Sequence, residues 1–600
     1  MSQAAALPHW DMTVVYPGLE SPEFAADFSA VTGRIAALAE LFGQHAIAGP
    51  GLPLDDASVA AFETITAEYD RVLADVRTLT AYISSFVSTD SRDSLAQSRM
   101  SELQSHLAHL SQLGTRWTAW VGGLDADGLI ERSAWAREHA FVVRRAREQA
   151  AHLMSPAEES LAAELNLSSG TGWSKLHGTL TSQLMVEVEQ AGQVRSLPMS
   201  VVRNLAFDPD RATRRRAYEA ELAAWQAVSI PLAAALNGVK GQVTTLARRR
   251  GWASPLQETL FQNNIDQQTL DAMMTAAREA FPDFRRYLKA KARLLGVERL
   301  AWYDLFAPIG GDTQAWQYDR ARTFIVEQFG TYSPRLSQFA ARAFAENWVD
   351  AEPRPGKRDG AFCMLLRGDE SRVFANYKPA YGGMRTLAHE LGHAYHNLNL
   401  ADRTMLGRST PMTMAETASI FCETVIQQAA LGQTSPGQQV AILEASLVSA
   451  CQQVVDISSR FLFEQRVFDQ RQTRDLTIDE LSAMMLEAQR ETYGDGLDAA
   501  TLHPFMWAVK QHYYSAGLSF YNYPYMFGLL FGLGLYARYQ ESPAEFRTGY
   551  DDLLASTGLA DAATLAARFG IDIRTPDFWR SSLDIIRRDI DRFVAASAEQ

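Results

Sequence analysis

Residues 386–396 read TLAHELGHAYH, and this stretch is the most informative part of the 600-residue chain. Its first two histidines, His389 and His393, are four residues apart, so on a helix both lie on one face, about one turn apart. Two imidazoles spaced in this way suit two ligands of a tetrahedral zinc ion. Glu390 follows the first histidine and can take a proton from an attacking water. The stretch therefore predicts a helix that carries a catalytic metal site.

A catalytic zinc ion needs a third protein ligand and one open position. The downstream acidic candidates are Asp402, Glu416 and Glu423. Asp402 follows His393 by only nine residues, whereas Glu416 follows it by 23 and lies in a helical pattern that ends before Gly432. A connecting loop over 396–410 would let this second helix pack antiparallel to the first. Glu416 is then the best candidate for the third ligand.

Both acidic residues of the second helix have a structural alternative. Thr413 and Glu416 also match a capping box, in which the glutamate only binds the start of the helix. Glu423 lies two turns further along the same face, so it either orients a ligand histidine or is a solvated charge. The HExxH pattern also occurs by chance in proteins that bind no metal.

The spacing excludes two other classes of HExxH site. Sites of the thermolysin and aminopeptidase type have a glutamate about 20 residues after the second histidine, where this chain has Met412 and Thr413. A metzincin needs glycine and then a third histidine, where this chain has His396 and Asn399.

Helical periodicity dominates the rest of the chain, with apolar residues three and four apart. Two segments instead have hairpin patterns. Residues 180–197 alternate apolar and polar side chains, with Ala191-Gly192 between the two arms, and residues 361–377 have two apolar arms with a turn at 367–371. The second hairpin either pairs with an extended peptide or is purely structural. The clearest predicted helices cover residues 57–88, 93–121, 134–152 and 156–165.

Charge, cysteine content and apolar runs indicate the cellular compartment of the protein and exclude some classes of partner. A net charge of −14 and a pI of about 5.4 argue against nucleic acid as the main partner. Three cysteines without a CxxC pair favour a reducing cytoplasm over a disulfide framework or a thiolate zinc site. The longest apolar run, 525–537, has 13 residues and is too short to cross a bilayer. We expect a cytoplasmic protein without a membrane partner, and a buried core role for that run.

Several motifs together resemble one family. HELGHAYH followed by AETASIFCE resembles the oligoendopeptidase F branch of the thimet-oligopeptidase-like metallopeptidases. Residues 10–17 (WDMTVVYP), 354–361 (RPGKRDGA), 512–514 (HYY) and 520–525 (FYNYPY) are similar to further segments of that branch. The matches extend from residue 10 to about residue 535.

The resemblance implies a mainly α-helical metallopeptidase with a small β-sheet beside the HExxH helix and a deep channel between two halves. It implies an N-terminal helical domain over 1–200 and a catalytic domain over 201–600. It also implies one Zn²⁺ per chain, bound by His389, His393 and Glu416, with Glu390 as general base. Short peptides would be its substrates. Cobalt or manganese remain alternatives, since nitrogen and oxygen ligands accept several metals.

The resemblance further implies a substrate loop that contains His512 and several tyrosines. His512 and Tyr525 would stabilise the tetrahedral oxyanion, and Tyr521 and Tyr523 would contact the substrate. The spacing leaves open which tyrosine acts, and at least one of the three is expected to be a core aromatic. Two rival functions remain: a peptide-binding protein on an inactive peptidase fold, and a zinc hydrolase that acts on non-peptide amides.

Overall fold

The computed structural model describes residues 6–47, 54–190, 192–310 and 315–598. Helices dominate these residues, and the strands form two small sheets, which confirms the mainly helical fold class. The helices are α1 (Pro22–Gln44), α2 (Asp56–Thr89), α3 (Ser94–Gly123), α4 (Ala126–Arg132), α5 (Ala134–Glu138), α6 (Ala140–Ala151), α7 (Pro156–Ser168), α8 (Gly170–Gln183), α9 (Met199–Asn204), α10 (Arg211–Ala227), α11 (Ser229–Arg249), α12 (Pro255–Gln262), α13 (Gln267–Leu294), α14 (Tyr318–Tyr332), α15 (Pro334–Ala345), α16 (Tyr381–Asn399), α17 (Met412–Ala415), α18 (Thr417–Gly432), α19 (Pro436–Cys451), α20 (Ile457–Arg471), α21 (Ile478–Tyr493), α22 (Met506–Val509), α23 (Tyr523–Glu541), α24 (Pro543–Ala555), α25 (Ala562–Ala567) and α26 (Pro576–Ala598). The strands are β1 (Met185–Gln190), β2 (Gln193–Pro198), β3 (Val349–Asp350), β4 (Phe362–Arg367) and β5 (Glu370–Phe374).

The chain forms two compact units, each assembled from three separate segments. The first unit comprises Met1–Leu153, Gln314–Ala429 and Arg538–Phe569. The second comprises Met154–Thr313, Ala430–Ala537 and Gly570–Gln600. The division into domains 1–200 and 201–600 stays a prediction.

The predicted helices form, with one difference. Helix α7 begins at Pro156, as predicted, and Ser155 and Glu158 make a reciprocal capping box at its start. The segment predicted as one helix over 134–152 is instead two, α5 and α6, which meet at His139. The His139 ring stacks on Trp135 at 3.9 Å, and its Nε2 lies 2.7 Å from Thr404 Oγ1. The contact with Thr404 favours an interruption of the helix at His139, and the periodicity of the sequence cannot reveal such a long-range contact.

Both predicted hairpins are confirmed. Strands β1 and β2 pair antiparallel, with Gln190 opposite Gln193, and Gly192 has a positive φ of 77° in the turn. Ala191 lies outside the described residues. Strands β4 and β5 pair antiparallel around Gly368, which has a φ of 51°. Strand β3 pairs parallel with the other side of β5, so β4 is an outer strand of this sheet.

A buried lysine holds the chain that leads into β4. The side chains of Lys357 and Asp350 are 0% and 1% exposed, and their Nζ and Oδ1 atoms are 2.7 Å apart. The same ammonium donates to the carbonyl oxygens of Glu352 at 2.9 Å and Ala375 at 2.6 Å. Because the charge is both paired and fully hydrogen-bonded, its burial is tolerated. The lysine thereby connects β3, β5 and the segment before β4.

The segment before β4 also contacts the end of α2. Gly356 has a φ of 88°, and a Cβ at this position would lie 2.3 Å from Asp90 Oδ1, so the site requires glycine. The Gly356 carbonyl accepts a hydrogen bond from Ser91 N at 2.8 Å, and Arg358 N donates to Ser88 O at 2.9 Å. The RPGKRDGA sequence therefore fixes the path of the chain into the outer strand.

The apolar run 525–537 lies in α23 and is largely buried, as expected for a core helix. Within the described residues, one continuous helical stretch, Gly437–Arg471, is long and apolar enough by length and composition to cross a bilayer. Of its most apolar window, 61% is buried inside the structure, as in the core helix of a globular fold.

Replacing Lys357 with methionine should loosen the β3–β5–β4 sheet. The change leaves Asp350 buried with only Arg354 as its ion-pair partner, and breaking a buried pair costs about 3–5 kcal/mol. Hydrogen–deuterium exchange of β5 amides should become faster in this variant. The matched control is Lys378→Met, at an exposed lysine, and equal exchange in the two variants would contradict this account.

Candidate metal centre

The two histidines of the HExxH stretch lie on α16, with their rings facing the same side. Their Nε2 atoms are 3.2 Å apart, and each side chain is 24% exposed. The third histidine of the stretch, His396, is buried, and its Nε2 lies 2.9 Å from Thr557 Oγ1. The metal-facing group on this helix is therefore His389 and His393.

Glu416 lies at the junction between α17 and α18, with its carboxylate facing the two histidines. Its Oε2 is 3.3 Å from His389 Nε2 and 3.4 Å from His393 Nε2. The same oxygen accepts a hydrogen bond from Ser419 Oγ at 2.6 Å. Helix α17 begins after Pro411, so Thr413 lies inside this helix and not at its N-cap position.

The spacing of these three atoms fits a tetrahedral metal ion. In such a site, with bonds of about 2.0–2.1 Å, neighbouring ligand atoms are about 3.3–3.4 Å apart. The distances of 3.2, 3.3 and 3.4 Å between the two nitrogens and the oxygen agree with this value. Two imidazoles and one carboxylate are also a ligand set that zinc accepts. His389, His393 and Glu416 could therefore hold a divalent metal without rearrangement.

A glycine brings the third residue within reach. A Cβ on Gly392 would lie 2.6 Å from the Ser419 Cα and 2.7 Å from the Ala418 carbonyl oxygen. Only glycine allows the backbone of α18 to come this close to α16. Since Glu416 directly precedes α18, this approach places its carboxylate beside the histidines.

Glu423 orients His389 by contacting its Nδ1, the ring nitrogen that does not face Glu416. Its Oε2 is 3.1 Å from His389 Nδ1, and its Oε1 is 2.5 Å from Arg385 Nη2. Burial raises the pKa of Glu423, but the Arg385 guanidinium and His389 outweigh it and lower the pKa overall. An ionised Glu423 that accepts from Nδ1 leaves the Nε2 lone pair of His389 free for a metal. This geometry favours the orienting role over a solvated helix charge.

Glu390 is the carboxylate of this centre that makes no ion pair among the described residues. It is 6% exposed, and burial, together with Glu416 and Glu423, outweighs His389 and raises its pKa to about 7. Burial also disfavours the charge on Glu416, but hydrogen bonding from His389 and the nearby His393 hold its pKa at about 2. Two neighbouring carboxylates thus differ in basicity, which suits one to bind a cation and the other to exchange a proton.

A cavity of about 640 Å³ opens onto the centre. Its walls include the two histidines, Glu390 and Glu416, together with residues from β4 and its start, namely Ala361, Phe362, Cys363 and Leu365. Two arginines, Arg77 from α2 and Arg408 from the α16–α17 connection, also line it. Sequence reasoning missed both arginines and Arg385. Only Arg385 carried a signal, because it precedes His389 by four residues and so lies on the same helix face.

His512 lies in the second unit, in a single turn over Gln511–Tyr514. Burial, with the charges of Arg460, Lys240 and Lys510, lowers its pKa to about 2, so the imidazole is neutral at pH 7. Among the described residues its Nε2 has no hydrogen-bond partner. This nitrogen is itself buried, although the residue as a whole is partly exposed.

The three tyrosines differ in their surroundings. The hydroxyls of Tyr521 and Tyr525 are 2.6 Å apart, and both side chains are partly exposed. Tyr523 is 1% exposed, and its hydroxyl donates to the Thr259 carbonyl oxygen at 3.2 Å. Tyr523 thus has the surroundings of the core aromatic expected among the three.

Both the sequence and the fold of this chain are similar to those of known proteins. The sequence profile of Peptidase family M3 matches residues 204–585, and that of Oligopeptidase F matches residues 125–185. The oligoendopeptidase F homolog of Lactococcus lactis subsp. lactis is 20% identical over 593 residues, which cover 96% of this chain and 95% of that protein. The plasmid-encoded oligoendopeptidase F of Lactococcus lactis subsp. cremoris matches with the same identity and coverage. The fold resembles the crystal structure of oligoendopeptidase-F from Enterococcus faecium, with a TM-score of 0.71, 16% identity, and 96% and 99% of the two chains covered.

Gly392→Ala should weaken metal binding, because the added methyl group displaces α18 and with it Glu416. We expect at least tenfold lower affinity in competition with a chromophoric chelator, and a loss of about 1–3 kcal/mol in stability from overpacking. Gly382→Ala on the same helix is the control, since a Cβ there meets no atom within 4 Å. Wild-type affinity in Gly392→Ala would show that the close approach does not set the position of Glu416.

Proposed function

Because the chain belongs to peptidase family M3, we propose that it is a zinc-dependent endopeptidase that hydrolyses internal bonds of short peptides. The observation that carries this proposal is the triangle of His389, His393 and Glu416 ligand atoms, 3.2–3.4 Å apart, with Glu390 beside it. The names of the relatives, which cover nearly the whole chain, support the endopeptidase activity on oligopeptides. The oligomeric state stays open.

Bound zinc would act as a Lewis acid that polarises the scissile carbonyl and lowers the pKa of an attacking water. Glu390 takes the proton from that water and passes it to the leaving amine. Its pKa, raised to about 7 by burial, suits both steps near neutral pH, because the group is basic enough to accept the proton and acidic enough to release it. Glu423, with Arg385 behind it, keeps His389 in the orientation that zinc requires.

The outer strand β4 supports a peptide as the substrate. An outer strand presents backbone N–H and C=O groups that an extended peptide can pair with. Residues of β4 line the same cavity as Glu390 and the histidines, so a peptide paired with this strand would have its backbone beside the metal centre. This favours the substrate-pairing role of the hairpin over a purely structural one.

His512, Tyr521 and Tyr525 complete the proposal as donors to the developing oxyanion. The resemblance to the family carries this assignment. The neutral His512 ring, whose Nε2 makes no hydrogen bond among the described residues, and the partly exposed side chains of Tyr521 and Tyr525 are compatible with it. Tyr523 is left out because its hydroxyl is buried and already donates to a backbone carbonyl.

Glu390→Gln should abolish turnover without loss of the metal. The amide cannot accept the proton of the water, so kcat is expected to fall by about 10²–10⁴-fold, the usual contribution of a general base. Metal content measured by elemental analysis should match the wild type. Asp402→Asn, at an exposed acidic residue just after α16, serves as the control. Normal turnover in Glu390→Gln would remove Glu390 from the mechanism.

Chelation should stop cleavage of a quenched-fluorescent peptide of about ten residues, and zinc should restore it. Mass spectrometry of the products should locate the cut at an internal bond. Loss of terminal residues one at a time would contradict the endopeptidase assignment. Stoichiometric zinc without cleavage of any peptide would instead favour a peptide-binding protein or a hydrolase of non-peptide amides.

A further inference from the structure

The cavity at the metal centre contains two guanidinium groups that the proposed chemistry does not use. Arg77 enters it from α2, and Arg408 from the connection between α16 and α17. The two are close enough that the charge of Arg77 lowers the pKa of Arg408, in addition to the larger effect of burial. Two neighbouring positive charges beside a peptide cleft need to be explained.

Arg408 is fixed by the protein itself. Its Nε donates to the Arg403 carbonyl oxygen at 2.9 Å, Nη1 donates to that of Gly368 at 3.3 Å, and Nη2 donates to that of Ala401. Three backbone acceptors hold the guanidinium in place. Arg408 therefore has a structural role at the rim of the cavity.

Arg77 differs from Arg408. Within the described residues, no hydrogen bond or ion pair joins its guanidinium to a carboxylate, and its side chain is exposed to the cavity. The concave wall still removes part of its hydration, and this desolvation lowers the pKa of Arg77. A guanidinium has five N–H donors and no acceptor, so a group in this position is satisfied by an anion, above all a planar carboxylate.

The position of Arg77 relates it to the path of a peptide. Arg77 lines the same cavity as Cys363, which lies on β4, the strand proposed to pair with the substrate. A peptide extended along β4 would carry every second side chain toward the same wall of the cavity. Arg77 lines the same cavity as Glu390 and Glu416, so a peptide paired with β4 would have both the guanidinium and the metal centre within this cavity.

We propose that Arg77 binds a carboxylate of the peptide substrate and so selects peptides that carry one close to the cut. This inference rests on the proposed peptidase function. The carboxylate comes either from an acidic side chain or from the peptide's own C-terminus. In the second case the enzyme would cut at a set distance from the end of the chain.

The test uses quenched-fluorescent peptides of about ten residues in which glutamate replaces glutamine at each position in turn. A second pair of peptides differs only in a free or an amidated C-terminus. The measured quantity is the ratio of kcat/KM for the charged and the neutral member of each pair. Because this ratio is formed within one variant, any general loss of activity cancels.

The wild type should prefer the charged peptide at one position by about ten- to hundredfold, the range of one charge-assisted hydrogen-bonded contact, mainly through KM. Arg77→Met should bring that ratio close to one, and Arg77→Lys should restore part of it. Arg77→Glu should reverse it in favour of a peptide with lysine at the same position. Arg71→Met, at an exposed arginine on the same helix, should keep the wild-type ratio.

The experiment distinguishes the two possible origins of the carboxylate. It also distinguishes failure of the role of Arg77 from failure of the peptidase function. A preference that follows internal glutamate identifies an acidic side chain, and one that disappears on amidation identifies the C-terminus. Equal ratios in the wild type and Arg77→Met, with cleavage intact, would overturn the role of Arg77 and leave the peptidase function standing. Binding of the same peptide pairs to Glu390→Gln provides a second readout that needs no turnover, and an unchanged preference after adding Arg77→Met would also overturn it.

Discussion

The contact between Gly392 and the backbone of α18 is the constraint on which the site depends. A Cβ at position 392 would lie only 2.6 Å from the Ser419 Cα, so α16 and α18 could not pack this closely with any residue other than glycine at this position. The contact is close enough to bring Glu416, at the start of α18, to within 3.4 Å of both histidines. Interiors pack densely and relax only partly, so the geometry of three ligand atoms depends on one missing methyl group.

Charged residues around the three candidate metal ligands determine the orientation and the protonation of the groups at this centre. Arg385 pairs with Glu423, Glu423 orients His389, and Glu416 faces both histidines. Among the described residues of the metal centre, every ionisable group except one therefore has an ion-pair or hydrogen-bonded partner. The exception is Glu390, whose pKa rises to about 7 while that of Glu416 is held at about 2. The difference comes from surroundings and not from residue type, and it assigns cation binding to one carboxylate and proton exchange to the other.

The sequence predicts what local patterns determine. The four-residue spacing of His389 and His393, the two hairpins and the start of α7 depend on neighbours in the chain, and they form as expected. The break at His139 depends on Thr404, more than 250 residues away, and periodicity cannot reveal it. Arg77 is likewise more than 300 residues from His389 along the chain. Only the three-dimensional fold brings α2 to the cavity wall, so no motif could have identified this arginine.

The charge of the whole chain limits what Arg77 can do. With a net charge of −14, the protein as a whole does not attract anionic peptides from a distance. Charges are screened beyond about 8 Å at physiological ionic strength, so the surface charge acts weakly on a peptide that has already entered the cavity. Within that cavity the Arg77 guanidinium, which pairs with no carboxylate among the described residues, acts at hydrogen-bond range, where screening is small. Selection by Arg77 would then be a local effect on binding and not on the rate of encounter, and it should persist at salt concentrations that suppress long-range electrostatic effects.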